Sequence, residues 1–332
     1  MSERYEIGVL GAGGWGTALA VLLAREGRRV ALWGRDPRRV AALRTGRENP
    51  RLAGVRLLET LDVTGSFPAA DILLLAVPIQ YARGVLQALP VQAQGTAPAE
   101  GTPLVLCCKG LEAGSMLLPP ELARALHPQM QVALLTGPNF AHEVAAGLPA
   151  ASVLAAEDAA LRTRLMRQLR SASLRLYGSP DIIGAALGGA AKNVIAIAAG
   201  AVMGAGMGEN ARAALITRGI AEIARLATAL GGRAETVSGI SGLGDLLLTC
   251  TGASSRNFSL GFELGRNIPL AEILASRSGV TEGIATAPAL AARARQAGVE
   301  MPITEVVTAL LANEMNVQQS MAALMRRAER DE

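Results

Sequence analysis

The stretch IGVLGAGGWGTALAVLLAR, residues 7–25, decides the fold. Its first four residues form a short apolar run that reads as a buried strand. GAGGWG at 11–16 fits G-x-G-x-x-G, and the Ala- and Leu-rich run that follows has helical composition. Strand, glycine turn and helix in that order open a dinucleotide-binding domain. Gly11 permits the tight turn, Gly13 removes the side chain that would block a pyrophosphate, and Gly16 lets the helix pack close to the strand. The helix N-terminus then offers unpaired backbone N–H groups and a partial positive charge to phosphates.

Working outward, the first half of the chain alternates short apolar runs with amphipathic stretches, as a parallel sheet covered by helices requires. Strands are expected at 7–10, 30–33, 72–76, 104–107 and 131–135, with 152–155 and 174–177 extending the sheet. The Ala/Gln/Gly/Pro stretch 92–103 reads as a surface loop. Near 180–190 the texture changes to long Ala- and Leu-rich helical periodicity, as in 211–230, 288–297 and 304–313. The expected fold is therefore α/β: a Rossmann-like doubly wound sheet over 1–185, followed by an all-α domain over 186–332.

A chain of 332 residues that is 50% apolar can bury a core in each of two domains. The net charge of +4 is spread along the chain and aromatic residues make up only 3%, which argues against a nucleic-acid partner. Three cysteines, two of them adjacent at 107 and 108, suit no disulfide framework and fit a reducing cytoplasm. No export signal is legible at the N-terminus. The apolar run 194–208 is too short to span a bilayer and reads as a buried helix.

Of the 32 basic residues only Lys109 and Lys192 are lysines. Arginine stays charged at any working pH, whereas a lysine ammonium can be tuned for proton transfer. Lys192 sits in GGAAKNVIAIAAGA at 188–201, an otherwise apolar helical stretch, so its charge needs a polar pocket or solvent. In SGLGDLLLTC at 241–250, Asp245 and Thr249 lie four apart and share a face if the stretch is helical. An Asp–Lys pair can hold an ammonium ready to protonate the alkoxide formed when a ketone accepts hydride. SSRN at 254–257 offers a guanidinium fork and an amide to a phosphate. At the end of the second strand, Arg35 can pair with a 2′-phosphate, which favours NADP or use of both NADP and NAD. Asp36 either accepts from a ribose hydroxyl or caps the helix that follows Pro37. His127 and His142 are the only histidines, and no metal-ligand cluster is present, so no metal is expected. Lys192 is preferred to His142 as the catalytic base.

The chain resembles bacterial NAD(P)-dependent glycerol-3-phosphate dehydrogenase along almost its whole length. The blocks that carry the likeness are GAGGWGTALA at 11–20, CKGLE at 108–112, GPNFAHEVAAGLP at 137–149, GGAAKNVIAIAAG at 188–200, NARAALITRGIAE at 210–222, SGLGDLLLTCTGASSRN at 241–257, VTEG at 280–283 and EMPI at 300–303. The resemblance implies hydride transfer between nicotinamide C4 and C2 of dihydroxyacetone phosphate, supplying glycerol 3-phosphate for phospholipid synthesis. It makes Lys192 the general acid/base, with Asp245 and Thr249 beside it. Lys109, Gly137, Asn139, Ser255, Arg256 and Asn257 would contact the substrate, with Lys192 and Asp245. Gly14, Trp15, Arg35, Lys109, Ala141, Arg256, Val280 and Glu282 would hold the dinucleotide, together with Gly11, Gly13 and Gly16. The family usually has Ser or Thr where this chain has Asn139, often Lys where it has His142, and frequently Ser at Gly14. A homodimer is a family expectation. Two rivals are a related two-domain keto-acid reductase and a non-catalytic NAD(P)H-sensing module.

Overall fold

The computed structural model describes residues 4–90, 101–252, 254–277 and 279–326. Contacts divide the chain into two compact units: Met1–Lys109 with Pro119–Ile182, and Gly110–Leu118 with Ile183–Glu332. The loop expected over 92–103 lies outside the described residues as far as position 100.

The first unit is built on strands β1 (Tyr5–Leu10), β2 (Val30–Trp33), β3 (Leu61–Thr64), β4 (Ala70–Leu75), β5 (Leu104–Leu106), β6 (Val132–Thr136), β7 (Ala150–Ala155) and β8 (Leu174–Ser179). They form one sheet in the order β3-β2-β1-β4-β5-β6-β7-β8. β1 pairs in parallel with both β2 (Ile7 opposite Val30) and β4 (Ile7 opposite Ile72), so the strand order reverses beside β1. Ligands of doubly wound sheets bind outside the carboxyl ends of the strands at that reversal, where the glycine turn follows Leu10. The helices are α1 (Gly14–Arg25), α2 (Pro37–Gly46), α3 (Ile79–Ala88), α4 (Pro119–Leu126), α5 (Ala141–Ala146) and α6 (Ala159–Gln168). Ile7, Val9, Leu19, Leu23, Leu32, Ile72 and Leu74 belong to the core cluster between sheet and helices.

Two features of this sheet depart from the sequence reading. β3 was not anticipated, being four residues long with alternating buried Leu61 and Val63 as its only signal. The sheet is also not wholly parallel, because β7 runs antiparallel to β6, with Leu134 opposite Ala155. The reason lies in the connection: α5 has only six residues, too few to cross back over the sheet. Instead it stays at the carboxyl end of β6 and packs on α1 through Ala145, Ala18 and Trp15.

The second unit is helical: α7 (Ile182–Gly204), α8 (Gly208–Ala229), α9 (Ala234–Val237), α10 (Asp245–Thr251), α11 (Arg256–Gly265), α12 (Leu270–Ala275), α13 (Glu282–Gln296), α14 (Pro302–Leu311) and α15 (Val317–Met325). α7 is apolar and long enough to cross a bilayer, but its most apolar window is 94% buried among the protein's own residues. It starts well before the apolar run read from sequence. It stops at Gly204, where Gly206 and Gly208 adopt positive φ.

Glycines let α7 and α11 meet backbone to backbone. A Cβ on Gly200 or Gly204 would collide with the carbonyls of Phe258 or Phe262, and one on Gly261 with the carbonyl of Ile197. Alanine is the better helix former by about 1 kcal/mol, so Gly261→Ala would stabilise an isolated helix. Here the collision is with backbone, which must move, and overpacking of this kind costs about 1–3 kcal/mol. Gly261→Ala is therefore expected to lower the denaturant midpoint. A raised midpoint would show that the two helices are not held in contact.

Candidate active site

In the first unit the glycines divide the work as their surroundings dictate. Gly11 has φ +124°, and a Cβ there would lie 2.9 Å from the Ala76 carbonyl oxygen. A Cβ on Gly16 would run into the Gly11 carbonyl. A Cβ on Gly13, by contrast, meets nothing within 4 Å, so the space beside this residue is open. That is the cradle a pyrophosphate needs at the start of a helix. Gly14 is closed off by the Arg51 carbonyl, 2.8 Å from where its Cβ would be. Trp15 packs with Leu52, Ala18, Ala145 and Ala141, which brings two expected cofactor contacts, Trp15 and Ala141, into one apolar cluster.

Arg35 is exposed, with its guanidinium carbon 6.0 Å from the ring centroid of Tyr81. Asp36 is the cap of α2: its carboxylate accepts from the backbone N–H groups of Arg38 (3.0 Å) and Arg39 (3.5 Å). Lys109 donates to the Gly137 carbonyl at 2.9 Å. Gly137 is required there because a Cβ would approach the Ala151 carbonyl oxygen and Ser152 Cα to 3.0 Å. Asn139 donates through Nδ2 to Ser152 Oγ at 2.7 Å. Its Oδ1 is buried and has no hydrogen-bond partner among the described residues. Lys109, Gly137 and Asn139 thus stand together, and Asn139 keeps an acceptor in reserve. His142 is exposed, stacks on Phe140 at 5.7 Å and lies 3.9 Å from Glu143.

In the second unit, close packing brings the lysine to its carboxylate. A Cβ on Gly188 of α7 would lie 2.8 Å from the Ser241 carbonyl oxygen, so only glycine lets α7 approach the π-helical turn Ile240–Gly244. That turn leads into α10, and Lys192 Nζ donates to Asp245 Oδ1. Asp245 is fully buried and Lys192 nearly so, at 0% and 8% exposure. Thr249 donates its hydroxyl to the Asp245 carbonyl at 2.6 Å, which places it one turn along the same face. Cys250 follows, and burial pushes its thiol up to about 12, with Lys192 and Arg212 pulling down and Asp245 adding to the rise. It stays protonated at any working pH and supplies no nucleophile.

The SSRN segment sorts into three roles. Ser255 caps α11, its hydroxyl accepting from Phe258 N at 3.2 Å. Asn257 is buried and braces three elements: Nδ2 donates to Asn193 Oδ1 on α7 (2.8 Å), and Oδ1 accepts from Gly283 N on α13 (3.0 Å). Arg256 is exposed at the first position of α11, and its guanidinium has no hydrogen-bond or ion-pair partner among the described residues. A Cβ on Gly279 would lie 2.9 Å from Arg256 Nη1, so glycine at 279 leaves that guanidinium room. A cation at the positive end of a helix is unfavourable by itself and calls for an anion. Val280 and Glu282 lie beside this brace at the start of α13.

Asn193 was missed in the sequence reading, although a second polar residue next to Lys192 in an apolar helix was a visible signal. No group of three or more His, Cys, Asp and Glu side chains stands together among the described residues.

A glycine-turn dinucleotide unit, together with a helical unit that buries a Lys–Asp pair, defines an oxidoreductase of the two-unit nicotinamide-dependent class. Comparison with known proteins narrows this. The models for the N-terminus and the C-terminus of NAD-dependent glycerol-3-phosphate dehydrogenase match residues 6–162 and 181–322. The chain belongs to that family. It is 58% identical over 332 residues to glycerol-3-phosphate dehydrogenase [NAD(P)+] of Acidiphilium cryptum, covering 100% of both chains. The corresponding protein of Gluconobacter oxydans is 51% identical, with 98% of each chain covered. The crystal structure of glycerol-3-phosphate dehydrogenase from Coxiella burnetii superposes with a TM-score of 0.91 at 35% identity, covering 98% of this chain and 99% of that one.

Proposed function

We propose that the chain interconverts dihydroxyacetone phosphate and sn-glycerol 3-phosphate with NADP or NAD, and that Lys192 moves the proton. The observation that carries this reading is the buried Lys192–Asp245 pair in the same unit as the exposed Arg256 guanidinium, which has no partner among the described residues. When bound, the nicotinamide gives hydride to C2 or takes it away. In the direction of reduction, the C2 carbonyl oxygen gains negative charge and Lys192 Nζ supplies the proton that quenches it. In oxidation the same nitrogen receives the hydroxyl proton. Asp245 fixes the lysine and stabilises its charged form, and Thr249 steadies the turn that carries Asp245.

Arg256 is the phosphate anchor, since a guanidinium fork pairs with two phosphate oxygens at once. Ser255 and Asn257 stand beside it as further substrate contacts and also hold α11, Ser255 by accepting from Phe258 N and Asn257 by bonds to Asn193 and Gly283. The buried Asn139 Oδ1 is suited to accept from a substrate hydroxyl, beside Lys109 and Gly137. The open space at Gly13 and the helix N-terminus behind it fit the dinucleotide. Gly11, Gly13, Gly14, Trp15, Gly16, Arg35, Lys109 and Ala141 are the residues we assign to it, and the family resemblance adds Arg256, Val280 and Glu282. Arg35, exposed beside Tyr81, supports the reading of a 2′-phosphate partner.

Cys107, Cys108 and Cys250 are all buried and none is in a disulfide, as suits a reducing compartment. A cytoplasmic enzyme supplying glycerol 3-phosphate for phospholipid synthesis, acting as a homodimer, is the setting we assign. The activity is tested by NADH and NADPH oxidation with dihydroxyacetone phosphate, unphosphorylated dihydroxyacetone and pyruvate. Turnover of the first far above the others is expected. Preference for pyruvate would move the chain to the keto-acid reductases.

A further inference from the structure

The geometry points to Asn49 as a positioning residue for cofactor binding, one that pins the glycine turn in its phosphate-receiving form. Asn49 is fully buried, at 0% exposure, and its amide is saturated. Nδ2 donates to the Ala12 carbonyl at 3.2 Å and to Thr17 Oγ1 at 2.6 Å. Oδ1 accepts from Arg39 Nη2 at 3.0 Å and from Arg51 N at 3.1 Å. One side chain therefore ties together the turn, α1, α2 and the short 3₁₀ turn Pro50–Leu52.

The Ala12 carbonyl is the point at which this hub acts. It also accepts from Arg39 Nη2, at 2.9 Å, so both of its lone pairs are used. In a planar trans peptide the N–H points opposite to the C=O. Fixing the carbonyl of Ala12 thus fixes the N–H of Gly13, the residue beside which the structure is open. Free backbone N–H groups with a set direction are what a glycine turn offers to phosphate. The Pro50–Leu52 turn, which Asn49 caps, closes the neighbouring side by placing the Arg51 carbonyl against Gly14. The hub also gathers two cations near the turn. Burial chiefly, and Arg51 next, lower the pKa of Arg39, while Asp36 opposes them. An anionic ligand would relieve that repulsion.

This inference rests on the glycine turn being the cofactor site, and the test separates the two. The dissociation constants of NADH and NADPH are measured by protein and cofactor fluorescence for wild type, Asn49→Ala and Asn49→Asp, alongside steady-state kinetics. Asn49→Asp keeps both accepted bonds and loses both donated ones. Both variants are expected to bind either cofactor about tenfold more weakly, the equivalent of about 1.4 kcal/mol, because the turn loses a buried donor. At saturating cofactor, kcat and the KM for dihydroxyacetone phosphate should stay within about twofold of wild type, since only cofactor binding is affected. A merely structural role would lower the melting temperature without this split between binding and turnover. Thr17→Val removes one of the two donated bonds and should weaken binding about threefold, which decides the matter if the Asn49 variants do not fold. Wild-type dissociation constants in the variants that fold, or a fall in kcat with unchanged binding, overturn the role of Asn49. Failure of the wild type to bind either cofactor would instead overturn the turn as the cofactor site.

Discussion

Lys192→Ala is expected to lower kcat for dihydroxyacetone phosphate reduction by about 10³- to 10⁴-fold while cofactor binding persists, because proton donation and charge stabilisation at the C2 oxygen are lost together. The size of the effect follows from placement. Lys192 is nearly buried on an apolar helix and is hydrogen-bonded to a fully buried carboxylate, so water is poorly placed to substitute. Removing one member of a buried ion pair also costs about 3–5 kcal/mol of stability. The double variant Lys192→Met with Asp245→Asn removes both charges and separates folding from chemistry. It should melt closer to wild type yet remain as slow as the single variant. Near-normal turnover in either variant would contradict the assignment. The proton at the C2 oxygen would then have to come from another group.

The second large effect is at Arg256. Arg256→Ala is expected to reduce kcat/KM for dihydroxyacetone phosphate by about 10²- to 10³-fold, the loss of a bidentate charge-assisted contact. Arg256 is also assigned to the cofactor, so the diagnostic quantity is a ratio. With unphosphorylated dihydroxyacetone the contact to phosphate is absent in wild type and variant alike, and any change there reports cofactor contacts only. The preference for the phosphorylated substrate should therefore collapse by nearly the whole amount. An equal loss with both substrates would move Arg256 from phosphate anchor to cofactor contact. Ser255 and Asn257 also hold α11 through Phe258 N, Asn193 and Gly283, so replacing either is expected to lower stability as well as activity, unlike Arg256→Ala.

The local signals in the sequence read well. β1, the glycine turn and α1 are contiguous, so steric rules for glycine and apolar patterning were sufficient to recognise them. Lys192 and Asp245 stood out because a charge in an apolar helix needs a partner, and the structure supplies each with the other. What sequence could not show were choices made in three dimensions. β3 is too short for its alternation to stand above background. The reversal of β7 depends on α5 packing against α1 instead of crossing the sheet. The segment Gly110–Leu118 interrupts the first unit in sequence yet is grouped with the second. Asparagine is the hardest case. Asn49, Asn193 and Asn257 all donate or accept across elements distant in sequence, and an amide carries no sign of its partners in the chain. Asn257, expected to contact substrate, is also bonded to Asn193 and Gly283, a bracing role that its place in the chain does not announce.

We propose that hydride passes between the nicotinamide and C2 of dihydroxyacetone phosphate on this chain. Reduction with NADPH or NADH deuterated at either C4 position, followed by NMR of the product, tests it most directly. sn-Glycerol 3-phosphate carrying deuterium at C2 is expected from one of the two labelled forms of each cofactor that is used. A product without deuterium from either form, or no glycerol 3-phosphate at all, would contradict it.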